Sequence, residues 1–338
     1  MTRQNDLMPG FPVSRLRRGR MHMFSRSILT ENSIRCHDLI WPVFVTEGQN
    51  IIEPIDGLSG VDRISLDILG QRAKAAHRLG IPAIAIFPRI DPALKDADGT
   101  NALADDNLVC RAIAAIKSAE PDMGVIVDIA LDPFTTHGHD GLIRDGVVDN
   151  DASLDILIKQ AINYAQSGAD IVAPSDMMDG RVGAIRAGLD KASFSHVMIM
   201  SYAAKYASAL YAPFRTAVSA NALTGIADKT SYQMNPANSD EAMREIALDI
   251  KEGADFIMIK PGMPYLDIIR QAHDQFNIPI FAYQVSGEYQ MIQSLASTLP
   301  QDKQQALIME MLISFKRAGC TGILSYYAYQ VAEWLNEI

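Results

Sequence analysis

Cysteine is scarce in this chain: Cys36, Cys110 and Cys320 are its three cysteines among 338 residues, and they lie far apart. An odd number of widely spaced cysteines without a CxxC pair excludes a disulfide framework and the common cysteine-rich zinc sites. Apolar runs are short, so no segment has the roughly 18 residues needed to cross a bilayer, and no secretory segment precedes residue 35. We therefore expect a reducing, cytoplasmic setting and no membrane partner.

Positive charge is also in the minority. The chain has 30 lysines and arginines against 40 acidic residues, which gives a net charge of −10. Nucleic-acid binders usually carry a basic excess or stripe, so we expect no nucleic-acid partner. Hydrophobic residues make up 48% of the chain, enough for a sizeable core.

Residues 1–35 depart from this acidic balance. They contain seven arginines and no lysine, and no acidic residue lies between Asp6 and Glu31. Such a composition is typical of an organelle transit peptide, but Pro9 and Pro12 disfavour a long helix. We favour an extended arm over residues 1–35 that packs on another subunit, because guanidinium groups suit interface carboxylates.

From residue 39 onward, short apolar runs alternate with amphipathic segments of helical length. Continuously apolar runs are typical of parallel strands that are buried on both faces. We predict eight strands, at residues 39–45, 83–88, 124–131, 171–174, 197–202, 256–260, 278–285 and 322–328. Predicted helices include residues 66–79, 108–119, 154–167, 240–252 and 304–318, several of them ending at a glycine. This alternation predicts a TIM (β/α)8 barrel over residues 36–338, with its chemistry at the C-terminal strand ends.

A doubly wound open sheet is the alternative fold, but no GxGxxG follows the first strand, which weakens a dinucleotide-binding version. Residues 211–237 form the longest irregular stretch and predict a lid or binding element. After it, Asn238 as N-cap with Glu241 three positions later indicates a helix start.

Two lysines are placed where predicted strands end. Lys260 closes the run Phe256-Ile-Met-Ile259, and Lys205 lies just past the strand at 197–202. A buried ammonium is costly, and a desolvated lysine becomes a nucleophilic amine, as Schiff-base chemistry requires. Two lysines in one site would each lower the pKa of the other. The alternative is that each side chain extends from its strand end to solvent.

Other polar residues gather at the same predicted strand ends, and their convergence is a stronger signal than any one of them. They are Asp128, Asp132, Ser175, Asp176, Tyr202, Tyr283, Ser286, Ser325 and Tyr326. Several belong to longer motifs that resemble those of the porphobilinogen synthase (5-aminolaevulinate dehydratase) family. The motifs are Met258-Ile-Lys260-Pro-Gly-Met-Pro-Tyr265, Tyr202-Ala-Ala-Lys205-Tyr-Ala-Ser-Ala-Leu-Tyr211, Lys229-Thr-Ser-Tyr-Gln233, Asp132-Pro-Phe-Thr-Thr-His-Gly-His-Asp140 and Ser175-Asp-Met-Met-Asp-Gly-Arg181.

The resemblance implies that two 5-aminolaevulinate molecules condense to porphobilinogen with loss of two waters, in tetrapyrrole (haem) biosynthesis. Lys260 would hold the first substrate as an imine and Lys205 the second. The resemblance assigns the carboxylate tail of the first substrate to Ser286 and Tyr326, with Phe214 and Tyr283 shaping that pocket, and the second tail to Arg215, Lys229 and Gln233. Asp132 and Asp140 would be polar partners of the second substrate's amine. Tyr211 and Ser175 are further expected substrate-binding residues.

The resemblance also bears on metals. Zinc-dependent members carry three cysteines where this chain has Ala130, Asp132 and Asp140, so we expect no zinc. Glu245 matches an allosteric Mg²⁺ site found in part of the family, with Asp176 as a possible outer-shell partner. Asn235 stands where the family commonly has aspartate, which reduces the local charge.

Two other functions remain open at this point. A class I aldolase would explain Lys260 but not Lys205, and no glycine-rich phosphate cradle follows the last two strands. A catalytically silent barrel that serves as a binding module would be expected to have lost its strand-end residues. The family also implies a homo-oligomer, usually an octamer, in which the arginine-rich arm would take part.

Overall fold

The computed structural model describes residues 10–218 and 228–337, without the side chains of residues 215 and 216. The chain divides into two compact units, Met1–Ser33 and Ile34–Ile338. In the first unit, residues 10–33 contain a 3₁₀ turn, Leu16–Arg20, and a short helix α1, Met23–Ile28, neither of which has a buried residue. Large apolar side chains of this segment are exposed, namely Phe11, Val13, Leu16, Met21, Met23, Phe24, Ile28 and Leu29.

The second unit is a closed barrel of eight parallel strands surrounded by helices. In chain order the barrel strands are β1 (Leu39–Val45), β4 (Ala83–Pro88), β5 (Gly124–Ile129), β8 (Ile171–Pro174), β9 (Met198–Lys205), β10 (Phe256–Lys260), β11 (Ile280–Gln284) and β12 (Gly322–Ser325). Each pairs with its neighbour in this order, and β12 pairs with β1 through Leu39–Ile323 and Ile40–Leu324, which closes the barrel. The TIM-barrel prediction is confirmed.

Four short strands lie outside the eight-stranded barrel. β2 (Ile52–Pro54) and β3 (Asp62–Ile64) extend the sheet beside β1, while β6 (Leu142–Arg144) and β7 (Val147–Asp149) form a hairpin. The barrel strands are buried on both faces, and on some of them the two faces lie in different apolar clusters. On β1, Phe44 lies in one cluster while Val43 and Val45 lie in the other. Burial on both faces explains why the strands are continuously apolar in sequence.

The strand predictions match the structure at β1, β4, β8 and β10. The predictions at 124–131 and 322–328 run too far at their C-terminal ends, and the prediction at 278–285 also begins two residues too early. The prediction at 197–202 is too short, since β9 continues to Lys205. The polar residue inside this strand, Ser201, is buried, and its hydroxyl donates to Asp249 Oδ2 at 2.6 Å.

The helices of the second unit are α2 (Leu66–Arg78), α3 (Leu108–Ala119), α4 (Asn150–Gln166), α5 (Arg181–Lys191), α6 (Ala212–Ala217), α7 (Asp240–Glu252), α8 (Leu266–Gln275), α9 (Ser286–Ala296), α10 (Gln301–Ala318) and α11 (Ala328–Asn336). Glycines end several of them, as predicted: Gly253 and Gly319 follow α7 and α10 with φ of 103° and 117°. The N-cap of α7 is Ser239 rather than Asn238, although Asn238 Oδ1 accepts the Glu241 amide at 3.3 Å.

The predicted lid, residues 211–237, is only partly described. It contains α6 and a 3₁₀ turn, Lys229–Ser231, and residues 219–227 lie outside the described part of the chain. In the described residues, no helix combines the length and the apolar character that a bilayer crossing requires.

Candidate active site

Lys205 and Lys260 are the last residues of β9 and β10, and they face each other in register across the two strands. Both are buried, with 5% and 6% of their surface exposed. They line one cavity of about 30 Å³ at the C-terminal end of the barrel, together with Asp128, Asp132, Asp140, Ser175, Tyr211, Phe214, Lys229 and Gln233. This volume holds about two water molecules, so side chains around it have to move when larger molecules bind.

Lys260 lies in an apolar environment. Burial and the neighbouring Lys205 lower its pKa to about 7, although Asp128, Asp132 and Asp140 oppose the change. Four aromatic rings surround its Nζ, with ring centroids 5.0–5.2 Å away: Tyr202, Tyr211, Phe214 and Tyr283. About half of the Lys260 side chains are therefore neutral amines at pH 7.

Lys205 behaves in the opposite way. Burial would lower its pKa, but Asp140, Asp132 and Asp128 outweigh burial and raise it. Its Nζ lies 3.1 Å from Asp140 Oδ2 and also donates to the Ser175 carbonyl. Lys205 thus lowers the pKa of Lys260, as expected, but the pKa of Lys205 itself is raised overall, because its contacts with carboxylates outweigh burial.

Asp140 is the centre of this network. Its carboxylate accepts from Lys205, from Lys229 Nζ at 2.8 Å and from Gln233 Nε2 at 3.3 Å. Burial would raise its pKa, but the two ammonium groups lower it far below the ordinary value. Burial and the charge of Asp140 raise the pKa of the nearby Asp132 to about 6. Lys205, Lys229, Gln233, Asp132 and Asp140, which were predicted to bind the second substrate, therefore lie together. The carboxyl group of Asp140 is ionised and that of Asp132 is partly protonated.

Asp128, near the end of β5, also lines the cavity, although the sequence analysis assigned it no role. Burial raises its pKa, while Lys260 and Lys205 lower it. Its Oδ1 is buried and has no hydrogen-bond partner among the described residues. The available signal was a carboxylate inside an otherwise apolar strand, where an unpaired charge is costly.

The residues that were predicted to bind the carboxylate tail of the first substrate form a second cluster beside Lys260. The Tyr283 and Tyr326 hydroxyl groups are 3.0 Å apart. Ser286 Oγ donates to the Leu210 carbonyl at 3.2 Å and accepts the Phe214 amide at 3.0 Å. The Arg215 side chain lies outside the described residues, so the structure does not place it.

Glu245 lies at a separate, wider cavity of about 410 Å³, whose lining also includes Asp179, Glu241 and Gln233. Burial raises the pKa of Glu245, although Arg181 opposes this. The Asp176 carboxylate faces Arg181, with Oδ2 3.7 Å from Nε, and burial raises its pKa to about 6. Across the described residues, no three His, Cys, Asp or Glu side chains are grouped closely enough to hold a metal.

Comparison with known proteins agrees with this geometry. A family model for delta-aminolevulinic acid dehydratase matches residues 13–334. A protein of that name from Bradyrhizobium diazoefficiens is 54% identical over 323 residues, which cover 95% of this chain and 91% of the relative. One from Rhodobacter capsulatus is 48% identical over 333 residues, covering 98% and 99%.

A solved structure matches equally fully. It is the delta-aminolevulinic acid dehydratase (porphobilinogen synthase) of Toxoplasma gondii in complex with the reaction product porphobilinogen. The two structures superpose with a TM-score of 0.93 at 40% identity, covering 96% of this chain and 92% of that one. Family model, relatives and structure agree over almost the whole length, so the chain belongs to the delta-aminolevulinic acid dehydratase family.

Proposed function

We propose that this chain joins two 5-aminolaevulinate molecules into porphobilinogen, with loss of two waters, through imines on Lys260 and Lys205. The observation that carries the proposal is the pair of buried lysines that end adjacent strands and line one cavity. Their different protonation suits a reaction that handles two identical molecules in two different ways. The product is a pyrrole, the building block of haem and other tetrapyrroles.

The first imine forms on the neutral amine. Lys260 attacks the ketone carbon of one substrate, and the ketone oxygen leaves as water. Lys205 is an ammonium group and has to give up a proton before it can react, and Asp140 at 3.1 Å is the carboxylate to which it donates a hydrogen bond. The contact between them has to open for the second imine to form.

The two bonds of the pyrrole then close. An imine withdraws electrons, so the adjacent carbon of the bound substrate loses a proton and attacks the other imine carbon. The Asp128 carboxylate suits the role of proton acceptor, since its pKa is raised and one of its oxygens is unpartnered. The amino group of one substrate attacks the remaining imine carbon and closes the ring. The carbon–nitrogen bonds to both lysines break, each lysine leaves as an amine, and loss of a ring proton completes the pyrrole.

The tails of the substrates are carboxylates, and hydroxyl or cationic groups bind them. Ser286, Tyr326 and Tyr283 are proposed to bind the tail of the Lys260-bound molecule, because Tyr283 contacts the Lys260 amine through its ring. Lys229 and Gln233, with Arg215, are proposed to bind the second tail. Lys229 and Gln233 both contact Asp140, so an arriving carboxylate competes with Asp140 for them.

Reductive trapping tests this function. The protein is treated with borohydride in the presence of 5-aminolaevulinate, and the adducts are mapped by peptide mass spectrometry. We expect adducts on Lys260 and, at higher pH, on Lys205. Lys316→Met is the matched control, because Lys316 also binds a carboxylate, Asp38 at 3.1 Å, away from the cavity. Labelling of Lys260 alone at every pH would favour the aldolase alternative, and no labelling would favour a silent barrel.

For the metal, we propose that Mg²⁺ binds at Glu245 and regulates activity, and that the reaction needs no zinc. Mg²⁺ keeps several waters and needs only one or two carboxylates, which fits Glu245 with Asp179 and Glu241 around a wide cavity. Asp140 already pairs with two ammonium groups, which makes it a poor zinc ligand. The test is activity after chelation, with Mg²⁺ and Zn²⁺ added back separately. Restoration by Zn²⁺ alone would refute the proposal.

For the assembly, we propose a homo-octamer in the cytoplasm, with the N-terminal arm as a subunit contact. The exposed apolar side chains of residues 10–33 support a role in packing against another copy. The free cysteines are consistent with a reducing compartment. Deletion of residues 1–20 should leave the barrel folded and reduce the assembly size on gel filtration. An unchanged size would contradict the proposed role of the arm.

A further inference from the structure

Glu288 is a buried carboxylate near Lys260 to which the reaction proposed above gives no task. Only 1% of its surface is exposed, and no ion pair to it is present among the described residues. Three backbone amides donate to it instead: Val285 at 2.7 Å, Gly262 at 3.2 Å and Met263. A buried carboxylate costs free energy even with such donors, which here lie on two different segments.

These donors connect the turn after Lys260 with the start of α9. Gly262 and Met263 follow Lys260 by two and three residues, while Val285 is the N-cap of α9. The turn packs closely, since a Cβ on Gly262 would lie 2.5 Å from the Phe315 ring and 3.1 Å from the Tyr283 carbonyl. One carboxylate therefore fixes the backbone just beyond the reactive lysine.

The same helix start also orients a second part of the Lys260 environment. Ser286, the first residue of α9, accepts the amide of Phe214, whose ring lies 5.1 Å from the Lys260 Nζ. The α9 N-terminus thus contacts the Lys260 turn through Glu288 and the aromatic surroundings of Lys260 through Ser286.

We propose that Glu288 is a positioning residue for Lys260: it holds the turn at Gly262 and Met263 so that the amine stays within its aromatic surroundings and away from water. This inference rests on the proposed role of Lys260. The ionisable groups that face Lys260 are Lys205, Asp128, Asp132, Asp140, Tyr202, Tyr211 and Tyr283, and Tyr265 is near Glu288. None of them bonds to the amides of Gly262 or Met263 in the structure.

The test is the pH dependence of Lys260 trapping in Glu288→Gln. The amide has one acceptor oxygen, so it cannot serve the Met263 donor and the other two donors together. With the turn loosened, water reaches Lys260 and its pKa rises. The pH of half-maximal Lys260 trapping, called the midpoint here, therefore rises as well. We expect a rise of about one pH unit, which lowers the trapping rate at pH 7 about fivefold.

Asp255→Asn is the matched control. Asp255 immediately precedes β10, and its carboxylate accepts the Ile199 amide at 2.8 Å at the opposite end of the barrel. It should lower thermal stability without moving the midpoint. If Glu288→Gln does not yield folded protein, Glu288→Asp keeps the charge but is one methylene shorter, and it should move the midpoint in the same direction.

The outcomes are distinguishable. A raised midpoint in the Glu288 variant, with the wild-type midpoint in Asp255→Asn, supports the positioning role. An unchanged midpoint in a folded Glu288 variant overturns it, and so does an equal shift in Asp255→Asn. Absence of a Lys260 adduct in the wild-type protein refutes the proposed function itself.

Discussion

Replacing Lys260 by methionine should make the protein more stable, even though it removes the amine that forms the first imine. The pKa of Lys260 is about 7 in the folded protein against an ordinary value of 10.5. Because the folded pKa is the lower one, the buried amine destabilises the fold. This destabilisation is full below pH 7 and disappears as the pH rises towards 10.5.

The structure gives the size of the effect. A fall in pKa from 10.5 to about 7 corresponds to about 5 kcal/mol, at about 1.4 kcal/mol per pKa unit. Removing the amine also takes a cation away from the buried Asp128, whose pKa Lys260 lowers, and this offsets part of the gain. Methionine is unbranched and packs well against aromatic rings. We therefore expect Lys260→Met to raise the free energy of unfolding by about 2–4 kcal/mol at pH 6.

The assay is urea denaturation of wild type and variant at several pH values between 6 and 10, followed by circular dichroism. The stability gain should be largest at pH 6 and shrink steadily above pH 7. If the variant is less stable than wild type at pH 6, or if its gain in the free energy of unfolding does not depend on pH, then the buried Lys260 ammonium does not destabilise the fold. Arm-deleted protein serves as a control for changes in subunit association.

Four further outcomes follow from the same site. Lys205→Met should lower the free energy of unfolding by about 3–5 kcal/mol, because Asp140 loses one of its two buried cations; equal stability in urea would contradict this. Asp140→Asn should let adducts form on Lys205 at lower pH, since Asp140 raises the pKa of Lys205; an unmoved trapping profile would count against it. Tyr326→Phe should raise KM about tenfold with a smaller effect on kcat, and an unchanged KM would exclude Tyr326 from tail binding. Glu245→Gln should abolish activation by added Mg²⁺ in steady-state assays, and full activation would remove Glu245 as the metal site.

The sequence predicts the barrel well because its strands are buried on both faces. Continuous apolar runs set the ends of β1, β4, β8 and β10 without knowledge of any partner. The prediction is too short at β9, which contains the buried polar residue Ser201 and continues to Lys205. The partners of Ser201 there are Asp249 and Arg181, which are 48 residues later and 20 residues earlier, and no local pattern reveals such contacts.

The site divides in the same way. Motifs and strand ends are enough to select Lys205 and Lys260, because position along a strand is a local property. The sign of each pKa change is not a local property, because it depends on where the carboxylates lie in the folded chain. Asp140 reaches Lys205 from 65 residues away, through the loop after β5, and with Asp132 and Asp128 it raises the pKa of Lys205 while that of Lys260 falls. Glu288 was overlooked for the same reason, because its donors at Gly262 and Met263 lie 26 and 25 residues away.

The closure of the barrel by pairing of β1 with β12 has a consequence for folding during translation. The seam joins β1, the first strand of the barrel, to β12, the last barrel strand of the described residues. During translation the early strands therefore wait for tens of seconds with one edge unpaired. Lys260 and Tyr326 also emerge late, so a ribosome that stalls before residue 322 releases an open sheet that cannot complete its catalytic centre. We expect nascent chains of this length to depend on chaperones more than the finished protein does.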